Sequence, residues 1–255
     1  MPDLVARLRE AGCVFAEEEA ELLTGAAPSA EALEALVSRR VAGEPLEHVV
    51  GWASFCGLRI AVEPGVFVPR QRTELLVRAA AAEARALRGR PVVLDLCCGS
   101  GAVGAAVATL LPVVELHASD VEPAAVRCAR RNVARAGGHV YEGDLFAPLP
   151  RSLRGRVNVL VANVPYVPTS AIALMPPEAR DHEPRRALDG GDDGLSVLRR
   201  VAAEAPRWLA PGGVLLSETS EAQSASAAAV LSTAGLPPEV RTAEGTTVVL
   251  AHLPG

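Results

Sequence analysis

From residue 73 to the end of the chain, stretches of apolar, β-prone residues alternate with stretches that have helical periodicity. This alternation predicts βαβ units, and therefore a mostly parallel sheet that helices cover on both faces. Strands are predicted at 91–96, 113–119, 139–142, 157–162, 213–216, 239–243 and 247–251. Helices are predicted at 73–88, with Thr73 as N-cap, and at 102–111, 122–136, 195–209 and 221–231.

The first 68 residues follow a different pattern. Residues 1–45 predict a small cap of three helices, of which the second spans 17–23 and is closed by Gly25, and the third begins at Ser29. Residues 46–68 contain short β-like segments, the first at 48–50, and predict a hairpin. We therefore expect a helical domain at 1–45, a β-hairpin linker at 46–68 and an α/β domain at 69–255.

The composition argues against a membrane protein and against a nucleic-acid-binding protein. No apolar run reaches the ~18 residues of a membrane span, and the N-terminus lacks the pattern of a signal peptide. A net charge of -5 and 3% aromatic residues do not suit a mainly electrostatic grip on nucleic acid. The five cysteines have no C-x-x-C spacing, so the sequence suggests neither a metal site nor a disulfide framework. We expect a cytoplasmic protein with reduced cysteines.

The loop after the first predicted strand of the α/β domain is rich in glycine. Gly99-Ser100-Gly101-Ala102-Val103-Gly104 fits the dinucleotide fingerprint G-x-G-x-x-G, and Asp120 follows where a ribose-binding carboxylate belongs. A nicotinamide-dependent dehydrogenase is therefore one alternative.

Two further acids favour a different ligand. Asp95 lies within the end of the first strand, where a carboxylate suits a cationic ligand better than a phosphate. Asp144 follows the third strand, within reach of an adenine amino group. S-adenosylmethionine carries an amino group and a sulfonium but no phosphate. Because the carboxyl ends of parallel strands form the ligand-binding edge of such sheets, we expect these acids to meet there.

The fourth strand ends in Asn163-Val164-Pro165-Tyr166. An Asn oxygen beside a backbone carbonyl can accept both hydrogens of a planar –NH2 group, and a Tyr ring can stack on the plane of that group. The motif therefore suits an acceptor with an amide or exocyclic amine nitrogen.

Together, these motifs resemble the class I S-adenosylmethionine-dependent methyltransferases. More closely they resemble the protein-glutamine N5-methyltransferases that modify peptide-chain release factors, the HemK/PrmC family. The resemblance extends over nearly everything from Gly43 onward and includes the Gly43-Glu44-Pro45-Leu46 linker, the Val68-Pro69-Arg70 to Leu76 loop, Asn163 to Tyr166, and the segment from His182-Glu183-Pro184-Arg185 through Gly190-Gly191 to Asp193-Gly194-Leu195.

The resemblance implies a seven-stranded sheet whose last strand is antiparallel, with a helical N-terminal domain that recognises a protein substrate. It implies S-adenosyl-L-methionine as methyl donor, S-adenosyl-L-homocysteine as product, and a glutamine in a protein, with a release factor as one candidate, as acceptor. Catalytic roles are implied for Asn163, Val164, Pro165 and Tyr166, and substrate contacts for Asn163, Pro165, Tyr166 and Glu183. The cofactor-binding residues implied are Asp95, Cys97, Gly99, Gly101, Asp120, Val121, Asp144, Leu145 and Asn163. Glu183 with Arg185 either steadies the substrate loop or forms a local ion pair.

Three positions depart from the family pattern. Val164 stands where the family has its first Pro, and Gln71 and Arg72 replace the second Pro and the usual acid of the earlier loop. Val164 keeps the carbonyl that the motif needs, and Pro165 restricts it to extended conformations. The alternatives are a methyltransferase that acts on another amine or amide, in a nucleic-acid base or a small molecule, and a non-catalytic adaptor that binds S-adenosylmethionine.

Overall fold

The computed structural model describes residues 2–243 and 245–254, so the predicted domain limits at Met1 and Gly255 lie outside the described residues. The helices are α1 (Pro2–Glu10), α2 (Ala16–Ala26), α3 (Ala30–Val41), α4 (Leu46–Val50), α5 (Glu74–Arg85), α6 (Ala102–Thr109), α7 (Pro123–Val133), α8 (Pro177–His182), α9 (Arg185–Leu188), α10 (Ser196–Glu204) and α11 (Ser224–Thr233). The strands are β1 (Trp52–Phe55), β2 (Leu58–Ala61), β3 (Val92–Leu96), β4 (Glu115–Asp120), β5 (His139–Glu142), β6 (Val157–Ala162), β7 (Leu209–Thr219), β8 (Pro238–Ala243) and β9 (Thr246–His252).

Helices α1 to α4 enclose a small apolar core of their own. The core holds Leu4, Leu8, Leu23, Val37 and Val49, and none of these side chains belongs to the larger cores around the sheet. The predicted start of α3 is confirmed, because the Ser29 hydroxyl accepts a hydrogen bond from the backbone amide of Ala32 at 3.2 Å.

The β-like segment predicted at 48–50 is wrong, since these residues lie in α4. Pro45 precedes the helix and Gly51 ends it in a left-handed conformation. His48 is buried, and its Nε2 lies 2.8 Å from the carbonyl oxygen of Val66, to which it donates. This contact with a residue 18 positions away favours the helix over the local β preference. The hairpin itself is confirmed as the antiparallel pair β1–β2.

The main sheet has seven strands in the order β5-β4-β3-β6-β7-β9-β8. Strands β3 to β7 are parallel, and β9, the last in the chain, is antiparallel to both of its neighbours. The strand order reverses between β3 and β6, which creates the switch point where open α/β sheets bind ligands. The predicted fold class is therefore confirmed.

Two apolar cores lie on the two faces of this sheet. Successive residues of β3 alternate between them, with Val93 in one and Leu94 in the other, because side chains alternate along a strand. Every residue of β3 is buried, as expected for a central strand that helices cover on both sides.

Three local predictions differ from the structure. Gly25 lies inside α2 rather than after it. Thr73 does not cap α5: its backbone is already helical, and its buried hydroxyl makes no hydrogen bond within the described residues. The predicted helix at 195–209 is shorter, because α10 ends at Glu204 and β7 begins at Leu209.

Candidate functional site

The carboxyl ends of β3, β4 and β6 open into one cavity of about 440 Å³, a volume suited to a small molecule. Leu96 of β3 pairs with Ser119 of β4 and with Ala162 of β6. The next residue on each strand is therefore at the same level. Cys97, Asp120 and Asn163 occupy these three positions, and all of them line the cavity, as do Asp95, Gly99, Val121, Asp144, Leu145, Val164, Pro165 and Tyr166.

Asp120 is fixed by the backbone around it. Its Oδ2 accepts a hydrogen bond from the amide of Gly99 at 2.8 Å, and its Oδ1 accepts one from the amide of Glu122 at 2.9 Å. Burial raises the pKa of the Asp120 carboxyl, and the amide donors oppose that rise. The carboxylate is thus held at the cavity wall, with each oxygen keeping lone pairs for hydroxyl donors.

Asp95 is 1% exposed and lies deeper in the same wall. Its Oδ2 accepts a hydrogen bond from the amide of Gly104 in the first turn of α6, at 2.8 Å. Burial raises the pKa of the Asp95 carboxyl to about 7, so an approaching cation stabilises its ionised form. A Cβ at residue 104 would lie 3.0 Å from this oxygen, which explains the glycine there.

The other residues for which the resemblance implies cofactor binding differ in whether they line the cavity and whether they already have partners. Cys97 and Leu145 line the cavity with left-handed backbones, at φ values of 53° and 49°. Such conformations are unfavourable for these residue types and cluster at ligand sites. Asp144 lines the cavity, but its Oδ2 lies 2.5 Å from Arg200 Nη2, so one of its oxygens is already engaged. Gly101 does not line the cavity; it starts α6 in a left-handed conformation and packs against Ala129.

Glu183 is not at the cavity wall, and its proposed pairing with Arg185 is wrong. The Glu183 side chain is fully buried, where it accepts hydrogen bonds from the amide of Val68 at 3.0 Å and from Arg70 Nη2 at 2.6 Å. Arg185 pairs with Asp189 instead, one helical turn away, at 3.2 Å. Glu183 therefore connects the segment that follows β6 to the loop before α5. Arg70, which is in that loop, lines the cavity.

The motif at 163–166 is held in place by the glycine-rich segment 190–194. Their backbones lie in direct contact: a Cβ at Gly190 would lie 2.7 Å from the carbonyl oxygen of Pro165, and a Cβ at Gly194 would overlap the carbonyl oxygen of Tyr166. Gln223 Nε2 adds a hydrogen bond of 3.0 Å to that Tyr166 oxygen. The Pro165 carbonyl oxygen therefore faces the backbone at Gly190.

Two residues at the cavity wall escaped the sequence analysis as members of the site. Glu218 is the last but one residue of strand β7, and its 2% exposed carboxylate accepts a hydrogen bond from the Tyr166 hydroxyl at 2.9 Å. Arg72, which replaces the usual acid of its loop, lines the cavity and donates to Tyr166 Oη at 2.9 Å. An acid at the end of a strand was the signal that could have identified Glu218, as it identified Asp120.

The acids that line the cavity fall into two groups by the partners of their carboxylates. Three acids at its wall have guanidinium partners: Glu122 pairs with Arg186, Asp144 with Arg200, and Glu218 with Arg72. Asp95 and Asp120, by contrast, accept hydrogen bonds from backbone amides, which leaves their negative charge available to a ligand. A ligand with a cationic amino-acid part and ribose hydroxyls, such as S-adenosylmethionine, fits this pair of carboxylates.

Two other kinds of feature, a membrane-spanning helix and a metal-ligand cluster, are absent from the part of the chain that the structure describes. None of its helices is both long and apolar enough to cross a membrane. Across residues 2–243 and 245–254, no group of three or more His, Cys, Asp or Glu side chains is arranged to hold a metal ion.

Comparisons with known proteins agree with this geometry. The model of the methyltransferase small domain family matches residues 57–175. The release factor glutamine methyltransferase of Geobacter sulfurreducens is 39% identical over 209 residues, which are 80% of this chain and 70% of that protein. The 4-amino-L-phenylalanine/4-methylamino-L-phenylalanine methyltransferase of Streptomyces pristinaespiralis is 39% identical over 203 residues, 78% of this chain and 69% of that protein.

Among solved structures, a methyltransferase from Pyrococcus furiosus matches the fold with a TM-score of 0.57 at 17% identity, covering 78% of this chain and 90% of that one. The strand order, the cavity at the switch point and the two relatives that are 39% identical all support the same assignment. The chain has the fold of the class I S-adenosylmethionine-dependent methyltransferases and belongs to the family of release factor glutamine methyltransferases.

Proposed function

We propose that this protein transfers a methyl group from S-adenosylmethionine to the side-chain amide nitrogen of a glutamine in a protein substrate, with a peptide-chain release factor as the first candidate. The observation that carries the proposal is the common level of Asn163 and Asp120 at the carboxyl ends of β6 and β4, on one cavity. This arrangement places Asn163, whose side-chain oxygen can accept amide hydrogens, at the same level as Asp120, whose carboxylate suits ribose hydroxyls.

The residues of the donor site follow from the charges described above. Asp120 binds the ribose hydroxyls, and Asp95 holds the amino group of the methionine part, directly or through water. Gly99 allows the ligand to approach the backbone closely, and Asp144 and Leu145 border the adenine. When bound, S-adenosylmethionine would supply an electrophilic methyl group on a sulfonium, with the neutral thioether of S-adenosylhomocysteine as the leaving group.

The residues of the acceptor site act on the nitrogen. An amide nitrogen is a poor nucleophile because its lone pair is delocalised. Asn163 Oδ1 and the Val164 carbonyl accept its two hydrogens, which turns the lone pair toward the methyl group and stabilises positive charge on the nitrogen as the new bond forms. The Tyr166 ring packs on the amide plane. The nitrogen then loses one proton to water, and placement of the reactants provides most of the rate.

In this proposal the helical cap, residues 2–45, helps to recognise the protein substrate. Buried Arg40 connects it to the segment that borders the cavity, with bonds of 2.6 Å to Glu19 of the cap and to Glu178 of α8. Val14 and Phe15, in the turn between α1 and α2, are 82% and 66% exposed. Apolar side chains this exposed suit contact with a protein. The proposed reaction takes place in the cytoplasm.

A second candidate function has one observation in its favour. A relative that is 39% identical is named as a methyltransferase of 4-amino-L-phenylalanine, whose reacting nitrogen is also a planar amine. Asn163 and Tyr166 would handle an aromatic amine in the same way as an amide. The acceptor must therefore be tested directly.

The test is a methylation assay with a radiolabelled or deuterated methyl donor, read by mass spectrometry. The acceptors are a folded release factor from the same organism, its Gln→Asn variant at the target position, 4-amino-L-phenylalanine, and single-stranded DNA and RNA. We expect a gain of one methyl group on the release factor, with none on its Asn variant, and loss of the product with Asn163→Ala. Arg130→Ala, on the exposed face of α7, is the matched control.

Each other outcome contradicts a stated part of the proposal. Methylation of 4-amino-L-phenylalanine or of nucleic acid alone would replace the protein substrate. Binding of S-adenosylhomocysteine in calorimetry without transfer to any acceptor would favour the adaptor, and binding of NAD without S-adenosylhomocysteine would favour a dehydrogenase.

A further inference from the structure

Arg72, Tyr166 and Glu218 form a closed triangle of hydrogen bonds at the acceptor end of the cavity. The Tyr166 hydroxyl donates to Glu218 Oε1 at 2.9 Å, Arg72 Nη2 donates to the Tyr166 hydroxyl at 2.9 Å, and Arg72 Nε lies 3.3 Å from the same Glu218 oxygen. Two of these contacts fix the position of the Tyr166 hydroxyl, and with it the direction of the long axis of the ring.

The register of β7 against β6 places this triangle of side chains beside the motif at 163–166. Val161 of β6 pairs with Leu216 of β7, and the Ser217 hydroxyl donates to the Ala162 carbonyl at 2.7 Å. Glu218 is therefore at the same level as Asn163 on the neighbouring strand. A rigid strand, rather than a loop, thus anchors the hydroxyl of the tyrosine that follows Asn163.

The buried carboxylate of Glu218 accounts for the arginine at position 72. The Glu218 side chain is 2% exposed, and its Oε2 has no hydrogen-bond partner within the described residues. A buried carboxylate without a cation is costly, so the Arg72 guanidinium compensates it. Arg72 is itself 53% exposed at the mouth of the cavity and can be replaced without opening a hole in the core.

We propose that Arg72 is a positioning residue for methyl transfer: by bridging Tyr166 and Glu218, it holds the Tyr166 ring in the orientation that packs on the acceptor. This inference rests on the proposed function for its kinetic part. In this proposal Arg72 acts through Tyr166 and not directly on the donor or the reacting nitrogen. Its removal should change the rate of transfer and leave the donor site intact.

The kinetic experiment compares Arg72→Ala, Arg72→Lys and Arg72→Glu with the unsubstituted protein, using the acceptor that the methylation assay identifies. We expect Arg72→Ala to lower kcat about tenfold, with the Kd for S-adenosylhomocysteine unchanged within twofold. Lysine reaches one of the two acceptors but cannot bridge both, so Arg72→Lys should recover part of kcat. Arg72→Glu should be the slowest, because it places a second carboxylate beside Glu218. Arg130→Ala again serves as the control.

A second readout needs no substrate. The chain has two tyrosines, Tyr141 and Tyr166, so ring-labelled tyrosine gives a two-residue NMR spectrum. Tyr141 bonds to His117, away from the cavity, and is an internal reference. We expect Arg72→Ala to shift the Tyr166 ring signals, because the hydroxyl loses a charged hydrogen-bond donor, while the Tyr141 signals stay in place.

The two readouts separate the two proposals. A kcat for Arg72→Ala within twofold of the unsubstituted protein, or a Tyr166 ring signal that this variant leaves unmoved, would overturn the role of Arg72. If the unsubstituted protein methylates no acceptor, the proposed function fails, and the NMR signals of the Tyr166 ring alone decide whether Arg72 holds Tyr166.

Discussion

Gly194 offers a sharp test of how the glycine-rich segment supports the acceptor motif. Its φ of +76° is unfavourable for any residue with a Cβ. A Cβ here would also overlap the Tyr166 carbonyl oxygen, which must move by more than half an ångström to reach the 3.0 Å that real Cβ atoms keep. The same Cβ would overlap Gln223 Nε2, whose hydrogen bond to that oxygen would break.

The matched control is Gly235→Ala. Gly235 has a φ of +78°, and a Cβ there would meet nothing within 4 Å. Both variants should lose about 1–2 kcal/mol of unfolding free energy from the left-handed backbone. Only Gly194→Ala should move the motif. Since a misplacement of about 1 Å can cost about 100-fold in rate, we expect kcat for Gly194→Ala to fall about 10- to 100-fold.

The assay combines chemical denaturation, calorimetry with S-adenosylhomocysteine, and steady-state methylation. Gly235→Ala should keep its kcat, and both variants should bind S-adenosylhomocysteine within about threefold of the unsubstituted protein. Equal kcat values for the two variants would refute the claim that the contact between Gly194 and Tyr166 positions the motif.

Three further predictions concern the carboxylates. Asp120→Ala should weaken S-adenosylhomocysteine binding about 10- to 100-fold in calorimetry, since hydrogen bonds to a charged group contribute about 1.5–3 kcal/mol; unchanged binding would exclude Asp120 from the donor site. Because burial raises the pKa of Asp95 to about 7, its charged form is lost as the pH falls through that value. Affinity for S-adenosylhomocysteine should then decrease below pH 7, and a decrease of equal size in Asp95→Asn would contradict this assignment. Glu183→Ala removes the acceptor of the Val68 amide and of Arg70 and should cost about 1–3 kcal/mol of stability, measured by urea denaturation; a loss below about 0.5 kcal/mol would show that these hydrogen bonds contribute little.

Much of the α/β domain could be predicted from the sequence because its signals are local. Apolar runs of five or six residues, bounded by turns and separated by helical periodicity, identified the strands that became β3 and β6. Once the strands are parallel, the geometry of such sheets requires their carboxyl ends to meet. Asp95, Asp120 and Asn163 were therefore assigned correctly to the cavity wall without knowledge of their distances.

Other predictions failed where distant contacts decide the outcome. The segment 48–50 looks β-like by its own composition, but the bond from buried His48 to Val66 stabilises a helical turn. Glu183 has an arginine two positions away in sequence, and yet it pairs with Arg70, 113 positions away. Local spacing carries no information about which of two arginines a fold brings closer.

By itself, therefore, the sequence determined the alternation of strands and helices, the order of the strand-end residues, and the chemistry of the Asn-Val-Pro-Tyr motif. The tertiary structure alone decided that Arg72 and Glu218 meet Tyr166, because the register of β7 against β6 places a buried acid beside the motif. It also decided which acids keep their charge for a ligand. A carboxylate is available only if no guanidinium lies near it, and that depends on packing between residues far apart in the chain.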